Sequence, residues 1–240
     1  MKLALASDLY IDRYPDAQRI DWRLVRRWTG VDVLVICGNI SGSLERTRME
    51  VLAARAAFER VIFVEGDHEH GGGHPDPEVI EALRRFAALN DGIHYLDGGV
   101  GVLIGPTLVC GTAGWHECQA ASLASRVREA ASDQAIGEIV VVTHAAPHPD
   151  GHMPTDAAAD GSSGALPSAA LAPIWSDCLD GGKLTVWCFG HAPQPLDFTD
   201  SGVRFVCNPR GLPGRDGSNP YSVHLIDTAT LTSDMWGDEF

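Results

Sequence analysis

Five apolar runs, each followed closely by polar, metal-capable side chains, limit what this 240-residue chain can fold into. The clearest run is VIFV at 61–64, which precedes Glu65, Gly66 and the group Asp67–His70. Consecutive β-branched and aromatic residues in a short run predict a strand that is buried on both faces. Because ligands of open α/β sheets bind at the carboxyl ends of the strands, the residues after this run are active-site candidates.

The same arrangement occurs four more times. Buried strands are predicted at 3–6, 33–36, 139–143 and 184–189. The polar residues at the five strand exits are Asp8 and Tyr10; Asn39; Asp67 and His68; His144; and His191. One histidine after a strand is more often structural than a ligand, but five exits of one type indicate a common site.

The order of elements predicts an α/β fold. The first third alternates strand and helix, which favours a parallel sheet with crossover helices. Short runs at 94–96, 100–104 and 108–110 are closer to an antiparallel meander. Further predicted elements are helices over 16–29, after Ser43, after Asp76, over 119–134 and from Pro167, and strands at 203–206, 221–226 and 231–236. Without a visible linker or repeat, residues 1–240 are predicted to form one domain.

The apolar stripes of the first two helices predict which of their residues are buried. Ile20, Leu24, Val25 and Trp28 recur at helical spacing in the first helix. In the second, one apolar face is predicted to carry Leu44, Val51, Leu52 and Ala56.

Composition excludes several classes of protein. The net charge of −14, without a basic patch, disfavours nucleic acid as the main partner and leaves a small-molecule substrate. No run approaches the roughly 18 apolar residues of a membrane span. The six cysteines form no CxxC pair, so we expect free thiols in a reducing compartment, the cytoplasm.

Together, the strand exits resemble the calcineurin-like metallophosphoesterases. That family shows D-x-H, GD, GNH(E/D), a lone histidine and GHxH in this order. The corresponding segments here are DLY at 8–10, GN at 38–39, GDHE at 66–69, THAAP at 143–147 and GHAP at 190–193, followed by VCNPRG at 206–211. The resemblance implies a four-layer α/β/β/α sandwich of two mixed sheets, with two metal ions at the strand ends.

Departures from the family pattern change the expected metal content. The first family site would use Asp8 and positions 10, 39 and 193, which here are Tyr10, Asn39 and Pro193. The carboxylate that would bridge two ions has become an amide. Two cations about 3.5–4 Å apart repel unless anions lie between them, so a second ion should bind poorly.

In the second family site Asp and Asn have exchanged places, so that the neutral ligand expected at position 67 is here a carboxylate. This site would use Asp67, His144 and His191, with Asn39 as a possible fourth ligand. Two histidines and one carboxylate suit Mn, Fe or Zn, so one divalent ion of unknown identity is expected. Asp8 and Tyr10 form a possible additional site, although we favour a packing or hydrogen-bonding role for Tyr10.

Several further residues are candidates for substrate chemistry. The resemblance implies that His68 is a general acid. Weaker candidates near the substrate are His148, His116 and Glu117, while Glu69, His70 and His74 lie nearby and could each be solvated loop residues. The loop at 147–165 is rich in Pro, Gly, Asp and Ala and is typical of a substrate loop or of disorder.

Three functions remain open from the sequence. The first is a phosphoesterase with an altered, mononuclear metal site that acts on a phosphate mono- or diester. The second is a single-metal enzyme, possibly with Fe, that acts on a non-phosphate substrate. The third is a catalytically inactive protein that binds a ligand or partner.

Overall fold

Two β-sheets pack face to face at the centre of the protein. The computed structural model describes residues 1–72, 75–151, 168–177, 180–214 and 221–230. The predicted strand at 231–236 and most of the predicted loop at 147–165 lie outside these residues.

The first sheet is parallel except at one edge. Its spatial order is β11 (His224–Asp227), β1 (Lys2–Ala6), β2 (Val33–Cys37), β3 (Arg60–Val64) and β4 (Ile93–Tyr95). Only β11 runs antiparallel to its neighbour. The connecting helices are α1 (Trp22–Thr29), α2 (Leu44–Arg55) and α3 (Pro77–Ala88).

The second sheet has antiparallel strands at both edges. Its spatial order is β5 (Gly101–Ile104), β6 (Thr107–Thr112), β7 (Glu138–Thr143), β8 (Leu184–Phe189), β10 (Val203–Cys207) and β9 (Leu196–Asp200). The four inner strands are parallel. Helices α4 (Glu117–Ser132) and α5 (Ala172–Ser176) cover its outer face.

Alternating side chains along the strands build the layers. Leu3 and Leu5 point to the core between the sheets, whereas Ala4 and Ala6 pack with the helices outside the first sheet. This period of two is the geometry of a strand that is covered on both faces. The four-layer α/β/β/α sandwich of two mixed sheets is therefore confirmed.

Side-chain caps fix where the early helices begin. Asp21 accepts hydrogen bonds from the backbone N–H groups of Arg23 and Leu24, and Asp76 accepts one from Glu78. Pro77 follows Asp76 as the first residue of α3, a position where its missing N–H costs nothing. The start of α3 is thus readable from the sequence, because a cap is a local feature.

Two predictions about the sheets were wrong, and one strand was missed. The strand at 93–95 joins the first sheet, parallel to β3, so of the three strands predicted to form a meander two, β5 and β6, pair antiparallel. Strand β9 was not predicted. The strand predicted at 221–226 begins later, at His224.

Helix predictions also need correction. Leu24 and Trp28 are 61% and 65% exposed, although their spacing predicted a buried stripe. In α2, Leu52 and Ala56 are exposed, while Thr47, Val51 and Ala54 are buried. Helix α5 begins at Ala172, and the predicted start at residue 167 lies outside the described residues.

Two expectations about membranes and cysteines can be compared with the structure. Within the described segments, no helix combines the length and the apolar character needed to cross a bilayer. The five cysteines in those segments are free, as predicted, and four of them are buried.

Burial separates two aromatic residues that hydropathy alone does not distinguish. We expect Phe63→Ala to lower the free energy of unfolding by about 3–5 kcal/mol, because Phe63 is fully buried on β3. The control Trp28→Ala should change it by less than about 0.5 kcal/mol, since Trp28 is largely exposed. Urea unfolding measures both, and equal losses would contradict the packing described.

Candidate metal centre

Three side chains from three strand exits converge at the carboxyl edge of the sheets. Asp67 follows β3, His144 follows β7 and His191 follows β8. One possible ligand atom from each lies within 4.8 Å of the others. The two sheets thus meet here, because β3 belongs to one sheet and β7 and β8 belong to the other.

Hydrogen bonds orient His144. Its Nδ1–H donates to the carbonyl oxygen of Cys37 at 2.6 Å, which turns Nε2 towards Asp67 Oδ1 at 3.3 Å. His191 presents Nδ1 to the same oxygen at 3.6 Å. An imidazole whose other nitrogen donates to a carbonyl is the usual arrangement of a metal-ligating histidine.

Charges within this group stabilise one another. Burial alone would lower the pKa of His144, but Asp67 and Asp8 outweigh it and raise this pKa to about 9. Burial likewise opposes ionisation of Asp67, yet hydrogen bonds with His144 and His191 hold its pKa well below the ordinary value. The carboxylate is therefore anionic and ready to hold a cation.

Asn39 is oriented as a hydrogen-bond donor to this site. Its Oδ1 accepts from the backbone N–H of His68 at 2.8 Å. Its Nδ2 then faces Asp8 Oδ1 at 3.1 Å, Tyr10 Oη at 2.8 Å and Asp67 Oδ1 at 3.0 Å. Reversing the amide would place its oxygen against the carboxylates of Asp8 and Asp67, and its NH₂ group against the backbone N–H of His68. The hydrogen bonds therefore fix the orientation of the amide.

Asp8 and Tyr10 are engaged in the same network. Asp8 is buried, and its Oδ2 accepts from the backbone N–H of His191 at 3.1 Å. Burial raises the pKa of Asp8 against the opposing charges of His144 and His191. Burial and the nearby Asp8 also raise the pKa of Tyr10 far above its ordinary value, so the phenol stays protonated.

The backbone at the strand exits is strained and tightly packed. Asp8, Tyr10, Asn39 and His191 all have positive φ, between 44° and 61°. Such conformations are costly for non-glycine residues and cluster at functional sites. A Cβ on Gly66 would lie 2.2 Å from Asn39 Oδ1, so only glycine fits beside the Asn39 amide.

Glu69 holds two of these exits together, although the sequence suggested a solvated loop residue. It is buried, and Oε1 accepts the N–H groups of Ile40 and Ser41 at 2.6 and 3.1 Å. Oε2 accepts those of Asn39 and Gly66 at 3.0 and 2.8 Å. One carboxylate thereby satisfies four backbone donors from the β2 and β3 exits.

His68 lies beside the three converging residues with one nitrogen occupied. Its Nε2 is 3.1 Å from each carboxylate oxygen of Asp12, and its ring contacts Tyr10 edge-on at 5.0 Å. Because Asp12 engages Nε2, Nδ1 is the atom left for proton transfer. The sequence did not single out Asp12, which is 56 residues from His68 along the chain.

The structure brings Trp115 to the site in place of its two polar neighbours. Its indole contacts the rings of His144 and His191 edge-on at 5.4 and 4.8 Å. His116 and Glu117 are exposed at the start of α4. The position of Trp115, just after β6 on the same sheet edge, was the signal that could have identified it.

His148 makes its recorded contacts away from the three converging residues. Its Nε2 bonds Asp200 Oδ2 at 2.9 Å, and its Nδ1 accepts the backbone N–H of Asp150. The ring packs against Trp175, Phe198 and Phe205. These contacts describe a packing histidine that joins α5 to β9 and β10.

The chain belongs to the calcineurin-like phosphoesterase family, whose profile matches residues 1–195. This match confirms the family resemblance inferred from the strand exits. No protein with a curated description matches this chain.

Solved structures share the fold at low sequence identity. Phosphopantetheinyl hydrolase from Mycobacterium tuberculosis aligns with a TM-score of 0.63 and 13% identity over 94% of this chain and 95% of its own. A dimetal phosphatase from Danio rerio aligns with 0.56 and 14% over 93% and 91%. GAP50, the anchor in the inner membrane complex of Plasmodium, aligns with 0.57 and 13% over 91% and 75%.

Replacing the Glu69 carboxylate tests its role in holding the exits. We expect Glu69→Gln to lower the free energy of unfolding by at least about 2 kcal/mol, because an amide nitrogen cannot accept two of the four N–H groups. Thermal or urea unfolding measures the loss. The control Glu117→Gln, exposed on α4, should change little. Equal stability of both variants would contradict this role.

Proposed function

We propose that this protein is a metal-dependent phosphoesterase that binds one divalent ion through Asp67, His144 and His191. The observation that carries the proposal is the convergence of their ligand atoms within 4.8 Å in a member of this family. Substrates of the proposed enzyme are phosphate mono- or diesters.

The donor set fits a single transition-metal ion. Two imidazoles and one carboxylate with open positions suit Zn, Mn or Fe(II). The Nδ1–H bond of His144 to the Cys37 carbonyl leaves Nε2 as its ligand atom. Asn39 is not included, because its oxygen is occupied by the His68 N–H and its NH₂ group cannot ligate a cation. This replaces our expectation that Asn39 is a possible fourth ligand.

The Asn39 amide also argues against a second ion. Its N–H groups lie among Asp8, Tyr10 and Asp67, the oxygens that would otherwise face a cation. Pro193 and the protonated Tyr10 add no anionic ligand. The proposed centre is therefore mononuclear. In it, Asp8 orients His191 by accepting a hydrogen bond from the backbone N–H of His191.

Individual residues have separate roles in the proposed reaction. When bound, the metal ion supplies Lewis acidity and lowers the pKa of water. Asp12 holds His68 through Nε2, so that Nδ1 can deliver a proton to the leaving-group oxygen. Trp115 packs against both ligand histidines and restricts their rotation.

We propose a small molecule, rather than a nucleic acid, as the substrate. The net charge of −14 would repel a polyanionic backbone over most of the surface. Buried free thiols fit a reducing compartment, which supports the cytoplasm as the location.

A protein that binds a ligand without turnover is the second candidate. The observation that favours it is the Asn39 network, which satisfies Asp8 and Tyr10 without any cation. A single-metal enzyme on a non-phosphate substrate shares the proposed centre and would differ in its substrate alone.

Metal stoichiometry is the first test. Protein purified without chelator and then offered Mn, Fe(II) or Zn should retain one ion per chain, measured by mass spectrometry. Asp67→Ala and His191→Ala should lose it, whereas His116→Ala, which removes an exposed histidine, should keep it. Two ions per chain, or none with any metal, would contradict the mononuclear centre.

Restoring the family ligands tests whether the Asn39 network excludes the second ion. We expect the variant Asn39→Asp, Tyr10→His, Pro193→His, Asp67→Asn to bind two ions and to hydrolyse bis(p-nitrophenyl) phosphate faster than the native protein. The physical reason is the returned bridging carboxylate between the two cations. A native protein that is already as active would contradict the argument.

Proton transfer by His68 is tested separately from metal binding. We expect His68→Ala to lower kcat for a phosphodiester by about 10²–10⁴-fold without changing the metal content. Asp12→Asn should give a smaller loss, because it removes orientation alone. Parallel loss of metal in His68→Ala would instead assign His68 a structural role at the centre.

A further inference from the structure

A pocket lies apart from the candidate metal centre. It has a volume of about 340 Å³ and is bounded by the segment after β1, by one side of α2 as far as Ala53, and by Arg210. We call it the α2 pocket. Its lining includes Ile11, Arg19, Ile20, Arg46, Ala53 and Arg210. None of Asp67, His144 and His191 lines it.

Arg210 contributes a buried guanidinium group to the lining of this pocket. The residue is only 4% exposed, and its guanidinium lies 3.5 Å above the Tyr14 ring. Nη2 donates to the carbonyl oxygen of Gln18 at 2.5 Å. Nη1 is buried and has no hydrogen-bond partner among the described residues. A buried charged donor without an acceptor is costly, so an anion close to this guanidinium would stabilise it.

The charges around Arg210 favour an anionic partner. Arg46 also lines the pocket and has no ion pair within the described part of the chain, while Arg19 pairs with Asp16 at 2.9 Å. Glu45 and Glu50 also line the pocket and oppose these charges. Burial raises the pKa of Glu50, which disfavours its anionic form, and its Oε1 accepts the indole N–H of Trp22 at 2.7 Å.

The remaining wall is apolar. Ile11 and Ile20 line one side, and Met49 and Ala53 line the other. A pocket of this size with a few polar groups and an apolar wall is typical of a small-molecule site. An isolated inorganic ion would leave that wall in contact with water alone.

We infer that the α2 pocket binds a small organic anion, with its carboxylate or phosphate group beside the guanidinium groups of Arg46 and Arg210 and its apolar part against Ile11, Ile20 and Ala53. This site is separate from the proposed metal centre and does not depend on the proposed function. Arginine is the residue best suited to it, because its planar donors match carboxylate and phosphate oxygens.

Direct binding in the presence of chelator tests the inference without any contribution from a metal ion. The probes are benzoate, phenyl phosphate and inorganic phosphate, titrated calorimetrically against the full chain. We expect benzoate or phenyl phosphate to bind more tightly than inorganic phosphate, because they also cover the apolar wall. Which of the two binds tighter distinguishes a carboxylate ligand from a phosphate ligand.

Variants locate the binding. Arg210→Met should weaken binding at least about tenfold, and the exposed control Arg27→Met should not. Ala53→Phe fills the pocket from the exposed side of α2 and leaves Arg210 intact, so it should also weaken binding. This variant tests the site even if Arg210→Met fails to fold. Asp67→Asn should bind the probe normally. Undetectable binding by native protein, unchanged binding by Ala53→Phe, or loss in Asp67→Asn would overturn the inference.

Discussion

The candidate centre depends on the hydrogen bonds that the Glu69 carboxylate accepts. Four backbone N–H groups, from the exits of β2 and β3, converge on its two oxygens. Loops after parallel strands leave such donors unpaired, and a buried donor without an acceptor is costly. Glu69 accepts hydrogen bonds from the unpaired donors of both loops, and so fixes the distance between Asn39 and Asp67. His144 and His191 can then be set against a rigid edge of the first sheet.

Close backbone approach is the second constraint. Positive φ at Asp8, Asn39 and His191 turns each side chain back towards the centre immediately after its strand. Gly190 allows this packing, since a Cβ there would lie 2.3 Å from the Cys37 carbonyl and 2.6 Å from His144 Nδ1. The strain is concentrated where the exits meet, while most residues of the five strands that lead to them are buried. The sheets therefore supply the stability that holds the strained exits in place.

Local patterns predicted much of the fold and the residues that converge, and long-range contacts account for the rest. Asp67, His144 and His191 could be found because each follows a buried run directly. The orientation of Asn39 could not, because it depends on the N–H of His68, 29 positions away. Helical spacing grouped Leu24 with Trp28 but did not show that this side of α1 faces solvent. Sheet membership of β4 is likewise decided by pairing with β3, not by its own residues.

The Asn39 amide has a consequence for how the chain folds. In a centre that gathers several buried carboxylates, the anions repel one another until a cation arrives, and folding then depends on metal supply. Here a neutral side chain provides N–H donors to Asp8, Tyr10 and Asp67, and His144 supplies a compensating positive charge. This edge of the apoprotein therefore carries less uncompensated charge than a centre built from carboxylates alone. For the proposed metal centre, this means that the chain can complete its folding before an ion binds.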